Sequence, residues 1–215
     1  MNLRMRSTIG LATILLTFTT FALAGPPLVC HKVEIGKAKT LPWVDLNYRK
    51  GDGGYDLKNL TADTVGILDS DSSVLVHMET LRRATIYARQ DGQIAKQLLT
   101  RLRARGDANA SNALAEFDVG YLAETYKQWI GKNEPNPANG LDGYSLITKA
   151  IAIRGSDSQM EFAAALITLA VHQADHDAHV QRAMVGAKSD PVLAQTLDSR
   201  FHDQTIAALL ANPKQ

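Results

Sequence analysis

The chain has 215 residues, with 23 Lys and Arg against 22 Asp and Glu and a formal charge of +1. Near neutrality argues against a general nucleic-acid binder, whose domain is strongly basic. A hydrophobic share of 45% describes a folded chain, and the one cysteine, Cys30, excludes an internal disulfide framework.

The chain opens with Arg4 and Arg6, an apolar run from Ile9 to Leu23, and the small-x-small triplet Ala22-Leu23-Ala24 before Gly25. This predicts a secretory signal peptide over 1–24, and hence a secreted or periplasmic protein. Cleavage leaves 215 − 24 = 191 residues, enough for one domain, and the loss of two arginines takes the charge from +1 to −1. No later run reaches about 18 apolar residues, so no membrane span is expected after cleavage. Val29 stands where a lipidation signal at Cys30 needs a small residue. Asn59-Leu60-Thr61 and Asn109-Ala110-Ser111 fit the glycosylation sequon, which matters only in a eukaryotic secretory pathway.

Residues 25–55 lack helical periodicity and carry Pro26-Pro27, Pro42 and the turn-rich Gly51-Asp52-Gly53-Gly54. Leu28, Val29, Val33, Ile35, Leu41, Trp43 and Val44 are too apolar for a solvated linker. The expectation is an extended N-terminal strap docked on helices. From Asp56 the apolar residues recur with period 3.6, predicting a helical domain over 56–215. Thr61 is placed to cap a first helix, with Leu60 and Val65 as a hydrophobic staple. Asp71-Ser72-Ser73 opens a second, bearing Val74, Met78, Leu81 and Ala88 on one stripe. A third follows Gly92 and stops at Gly106, and a fourth runs from about Ser111 to Ile130. A fifth covers Tyr144 to Ile153. Ser158 and Glu161 form a capping box for a sixth that runs to about Val185. Pro191 starts a seventh, which ends before Pro213. The fold class is therefore all-α: about seven helices in antiparallel hairpins, solenoid-like or a bundle, behind an irregular strap.

Leu98-Leu99-Thr100-Arg101 and Leu146-Ile147-Thr148-Lys149 form an internal echo 48 residues apart, a period of stacked helix pairs. Ala84, Tyr87, Ala88, Ala95 and Leu99, with Gly120-Tyr121 as a partial second copy, resemble tetratricopeptide-type helical hairpins. That resemblance implies a solenoid with a concave binding face and no catalysis.

The densest reactive cluster is His172, His176 and His179, whose spacings of four and three put the imidazoles on one side of a helix. Imidazole suits zinc or copper, and Cys30 and His31 could complete such a site if the strap folds back. The plainer alternative is a solvated or edge-of-core face. Clustered histidines can also make a pH-sensitive interface. Glu79 can pair with Arg82 or Arg83, and Arg101, Arg103 and Arg105 add a basic patch for an acidic partner or phosphate. A solvated face of weak ion pairs is the simpler expectation there. Phe117, Tyr121, Tyr126, Trp129 and Tyr144 follow helical spacing around a proline-rich loop. They suit a core, while Tyr121, Tyr126, Trp129 and Tyr144 are also candidates for a partner groove. No phosphate loop, nucleophile elbow or metalloprotease motif is present.

The sequence therefore predicts a non-catalytic module that binds a protein or peptide partner in the cell envelope, with no resident cofactor. The alternative is a zinc or copper protein, or a metal-dependent enzyme, built on His172, His176 and His179.

Overall fold

A computed structural model describes residues 27–44, 51–130, 135–169, 173–201 and 203–212. The expected signal peptide, His172 and the ring of Trp129 lie outside the described residues.

The chain is all-α. After a short helix α1 (Pro27–Cys30) the strap runs without regular structure to Val44, with a turn at Gly36-Lys37 that Gly36 allows through its φ of 61°. A 3₁₀ turn (Leu57–Asn59) leads into α2 (Leu60–Ser70), α3 (Val74–Ala88), α4 (Gly92–Asp107), α5 (Ala113–Trp129) and α6 (Gly143–Arg154). These are followed by α7 (Ser158–Thr168), α8 (Gln173–Ala187) and α9 (Pro191–Asp198). A two-stranded ribbon of β1 (Arg200–Phe201) against β2 (Gln204–Thr205) then turns the chain into α10 (Ile206–Ala211).

Short polar residues start most helices. The carboxylates of Asp91, Asp142, Asp157 and Asp190 and the amide of Asn112 accept from free backbone N–H groups of α4, α6, α7, α9 and α5. The expected cap at Thr61 gives way to Asn59, and Thr61 lies inside α2. The expected capping box gives way too. Asp157 caps α7, Ser158 is its first helical residue, and the Glu161 carboxylate turns inward. At α3 the cap comes from another helix. Gln159 of α7 accepts from Leu75 N–H at 3.1 Å and from the Ser73 hydroxyl at 3.3 Å, and donates to the Asp190 carboxylate at 2.6 Å. One amide side chain thus joins the N-terminal ends of α3, α7 and α9.

The expected sixth helix is two. α7 ends at Thr168, α8 starts at Gln173, and the two pack side by side. No Gly or Pro marks this corner. It is closed by side chains: Thr168 Oγ1 donates back to Ala164 C=O at 2.8 Å and meets His176 Nδ1 at 2.9 Å. The expected seventh helix is also divided, by the β ribbon.

Helix α3 is central. Every one of its residues except Arg83 is buried, and α1, α2, α5 and α7 lie against it. The core around it includes Leu75, Met78, Leu81, Leu98, Phe117, Tyr121, Leu122, Phe162 and Leu166. Helices α5 and α6 meet at a glycine pair. A Cβ on Gly120 would lie 2.7 Å from Gly143 O, and a Cβ on Gly143 would lie 2.5 Å from Gly120 O. The carbonyl on each side is backbone and cannot swing away, so only glycine fits. Gly66, inside α2, has nothing within 4 Å of its missing Cβ. Gly120→Ala is therefore expected to destabilise the fold by about 1–3 kcal/mol through overpacking. Gly66→Ala is expected to stabilise it by roughly 0.5–1 kcal/mol by restricting the unfolded chain. Equilibrium urea unfolding of both variants checks the opposite signs.

Candidate functional site

Of the charged residues that the sequence offers as surface chemistry, Arg101 and Arg103 stay exposed, while Glu79, Arg82, Arg83, Arg105 and His179 join three internal knots. The first holds the strap. Glu79 and Arg82 are 0% and 1% exposed, against the solvated face that the sequence predicted. Arg82 donates from Nε and Nη2 to the two oxygens of Glu79 at 2.7 and 2.9 Å, and Arg83 Nε adds a bond of 2.7 Å. The remaining donors and acceptors read the strap's backbone. Arg82 Nη1 donates to Val29 C=O at 3.1 Å, Arg83 Nη1 to Leu41 C=O at 2.6 Å, and Val33 N–H to Glu79 at 3.1 Å. Both guanidinium groups lie over the Trp43 ring, 5.0 and 5.5 Å from its centre. Burial alone would raise the Glu79 carboxyl, but the two arginines hold it below its ordinary value, so it stays ionised.

The second knot joins α2, α3, α4 and α5. Asp118, fully buried, accepts from His77 Nδ1 at 2.6 Å and from Arg105 Nη1 at 2.5 Å, while Arg105 Nε reaches Asp69 at 2.7 Å. His77 Nε2 meets Asp71 C=O at 3.0 Å. Burial pulls the His77 imidazole down, but the charge and hydrogen bond of Asp118 and the Asp71 carbonyl outweigh it and raise the imidazole above its usual value.

The third knot contains His179 of the histidine cluster and ties α6, α7 and α8. His179 Nδ1 meets Glu161 Oε2 at 2.5 Å, and its Nε2 meets the Tyr144 hydroxyl at 2.8 Å. That hydroxyl also donates to Asp175 at 3.1 Å. Arg182 Nε closes on the other Glu161 oxygen at 2.6 Å. Burial and then the Asp175 hydrogen bond push the Tyr144 phenol up to about 12, so it remains a proton donor. A continuous hydrogen-bonded chain thus runs from a buried carboxylate, Glu161, to an exposed one, Asp175. It can carry a proton, and it fixes three helices to one another. His176 stands apart, with Nδ1 on Thr168 and Nε2 2.9 Å from Leu210 C=O. Both ring nitrogens of His176 and of His179 therefore face partners inside the fold. Among the described residues, no three His, Cys, Asp or Glu side chains gather in a way that could hold a metal ion.

His31 is buried beside the strap's anchor. Its Nε2 lies 2.7 Å from the Ser199 hydroxyl, which donates its own proton to Thr196 C=O at 2.6 Å. His31 Nε2–H is therefore the donor, and among the described residues Nδ1 is left without a partner. Burial and then the Arg82 charge push this imidazole from 6.5 to about 4, against a smaller pull from Glu79. Cys30 is half-buried against the core. Of the aromatic candidates for a partner groove, Tyr121 and Tyr126 are wholly buried. Tyr121 stacks on Phe117, and Tyr126 donates to Ala95 C=O at 3.1 Å. These two rings serve the core, and Tyr144 serves the third knot.

Among the described residues, one of several surface hollows is a cleft at the α3–α4 corner. Asp91, Gln93 and Lys96 form one wall, and Pro135, Asn136 and Pro137 form the other. It continues past Arg89 and Gln90 to Ile130.

Sequence reasoning placed His179 and Tyr144 in separate groups and did not single out His77, Asp118 or Arg182. The legible signal was a carboxylate flanked by apolar residues, as at Glu161-Phe162 and Phe117-Asp118, since such a carboxylate needs a buried partner.

Glu79→Gln is expected to cost about 3–5 kcal/mol, because Arg82 cannot leave the interior. Glu161→Gln is expected to cost less, about 1–3 kcal/mol, because the Arg182 side chain is 43% exposed and can turn to water. Denaturant midpoints of both variants test that order. His31 binds its proton more weakly folded than unfolded. Its contribution to stability is complete above about pH 6.5 and falls away as pH drops toward 4. The expected loss across that window is about 3 kcal/mol, read as wild type minus His31→Gln in unfolding titrations at each pH. Compared with protein-family models, curated proteins and solved structures, the chain matches none.

Proposed function

We propose that this chain is a non-catalytic binding or scaffolding module of the secreted or periplasmic space that presents its α3–α4 cleft to a peptide or protein partner. The observation that carries this reading is the division of labour among polar groups. Glu79, Arg82, His77, Asp118, Glu161, His176 and His179 are buried against partners within the fold. Asp91, Gln93 and Lys96 are exposed around a concave wall of two prolines. A cleft with proline on one side and mixed charge on the other suits a polypeptide, with Gln93 able to pair with backbone amides. The resemblance to tetratricopeptide hairpins points the same way.

The chain from Gly25 onward, immobilised and exposed to an envelope extract, is expected to retain a defined partner. A Gln93→Trp, Lys96→Glu variant, which fills the cleft and reverses a charge, is expected to lose it. Retention of nothing by wild type, or of the same proteins by the variant, would count against the reading. Calorimetric titration with zinc and copper separates the metal alternative. Micromolar 1:1 binding that disappears in His176→Ala would favour that alternative instead.

A further inference from the structure

The chemistry of an asparagine depends on the residue that follows it, because the next backbone nitrogen is the nearest nucleophile to the side-chain amide carbon. There are six asparagines among the described residues, and all but one are guarded. Asn136 and Asn212 precede prolines, whose nitrogen carries no hydrogen to give up. Asn59 and Asn112 precede Leu60 and Ala113, the first residues of α2 and α5, whose backbone the helix fixes. Asn112 also commits its amide oxygen to Ala115 N–H at 3.1 Å. Asn109 is followed by Ala110, and its amide oxygen accepts from Ser111 N–H at 3.2 Å and from the Ser111 hydroxyl at 2.7 Å.

The exception is Asn139, which precedes Gly140. Both residues are exposed in the stretch that leads into α6. Two turns shape it: Asn139 N–H donates to Asn136 C=O at 3.1 Å, and Leu141 N–H donates to Ala138 C=O at 3.0 Å. Gly140 stands between them with a φ of 81°, and nothing lies within 4 Å of the place that a Cβ would take. The Gly140 nitrogen is therefore approached through open space. Glycine passes between backbone regions that are closed to other residues. The peptide plane between Asn139 and Gly140 can turn until that nitrogen meets Asn139 Cγ, giving up the single bond from Leu141 to Ala138.

We propose that Asn139 is a self-modification site, at which the chain converts its own amide to aspartyl and isoaspartyl products. The Gly140 nitrogen loses its proton to solvent hydroxide and attacks Asn139 Cγ. The new N–Cγ bond closes a cyclic imide. The Cγ–Nδ2 bond breaks, and Nδ2 takes a proton from water and leaves as ammonia. A water molecule then opens the imide. Opening at Cγ breaks the new bond and leaves an aspartyl residue on the original backbone. Opening at the main-chain carbonyl routes the backbone through Cβ and leaves an isoaspartyl residue. Water enters, ammonia departs, and nothing is oxidised or reduced. Either product places a carboxylate three residues beyond Asn136, whose amide holds Tyr126 C=O at 2.9 Å. The proposal rests on this turn alone and is independent of what the α3–α4 cleft binds.

The test incubates the folded chain in mildly alkaline buffer and maps its peptides by mass spectrometry, with fragmentation that separates isoaspartyl from aspartyl. Exchange of NH2 for OH is expected at Asn139 at a rate roughly tenfold or more above that of any other described asparagine, a margin that a small difference in barrier supplies. Isoaspartyl product should accompany aspartyl, since only the imide route gives both. Gly140→Ala is expected to slow the conversion roughly tenfold by placing a Cβ beside the attacking nitrogen. Asn139→Gln, which leaves the turn its glycine, is expected to abolish it. A parallel sample in urea gives the rate of the unfolded chain. Conversion in urea without conversion in the folded chain would overturn the proposal, because the turn would then hold nitrogen and amide apart. Conversion spread evenly over the asparagines, or aspartyl product without isoaspartyl, would overturn it as well.

Discussion

A carboxylate sealed from water is costly unless opposite charge and hydrogen bonds replace its lost hydration. Glu79 has both, from two guanidinium groups one turn along its own helix and from a backbone N–H of the strap. The arrangement makes helix and strap mutually necessary. Without the strap, Arg82 and Glu79 would lie at the floor of an open apolar groove. Without the ion pair, the carbonyls of Val29 and Leu41 would lose their donors. The central helix is thus polar where most central helices are apolar, and its position depends on charges being matched rather than absent.

The same principle recurs with different margins. Asp118 is matched by His77 and Arg105, and Glu161 by His179 and Arg182. In these two knots a carboxylate on one helix collects donors from neighbouring helices, so the helices are fixed in register as well as held together. The outer donors, Arg105 and Arg182, reach toward solvent, whereas Arg82 does not. That gradient decides which knot is a hinge point for stability and which merely trims it. His77, Asp118, Glu161 and His179 hold helices to one another, and at the cleft Asp91 caps α4 while Asn136 holds the Tyr126 carbonyl.

Close approach of helices supplies the other constraint. Gly120 and Gly143 let α5 and α6 touch through their backbones, and Gln159 stitches three helix starts at one end. Where contact is this tight, interiors tolerate little added volume.

The amino-acid sequence by itself determined the helical class and most helix starts, because apolar period and capping residues are local properties. It also made His179 and Tyr144 visible as candidates. Only the tertiary structure decided that the chain turns after Thr168, since that corner is made by Thr168 and His176 meeting and has no breaker residue of its own. Only the tertiary structure decided that Glu79 and Arg82 lie inside, and that Glu161 serves His179 rather than its own helix start. Periodicity reports which face of a helix is apolar. Which polar group is enclosed depends on what a distant segment lays over it, and that is settled only when the elements pack.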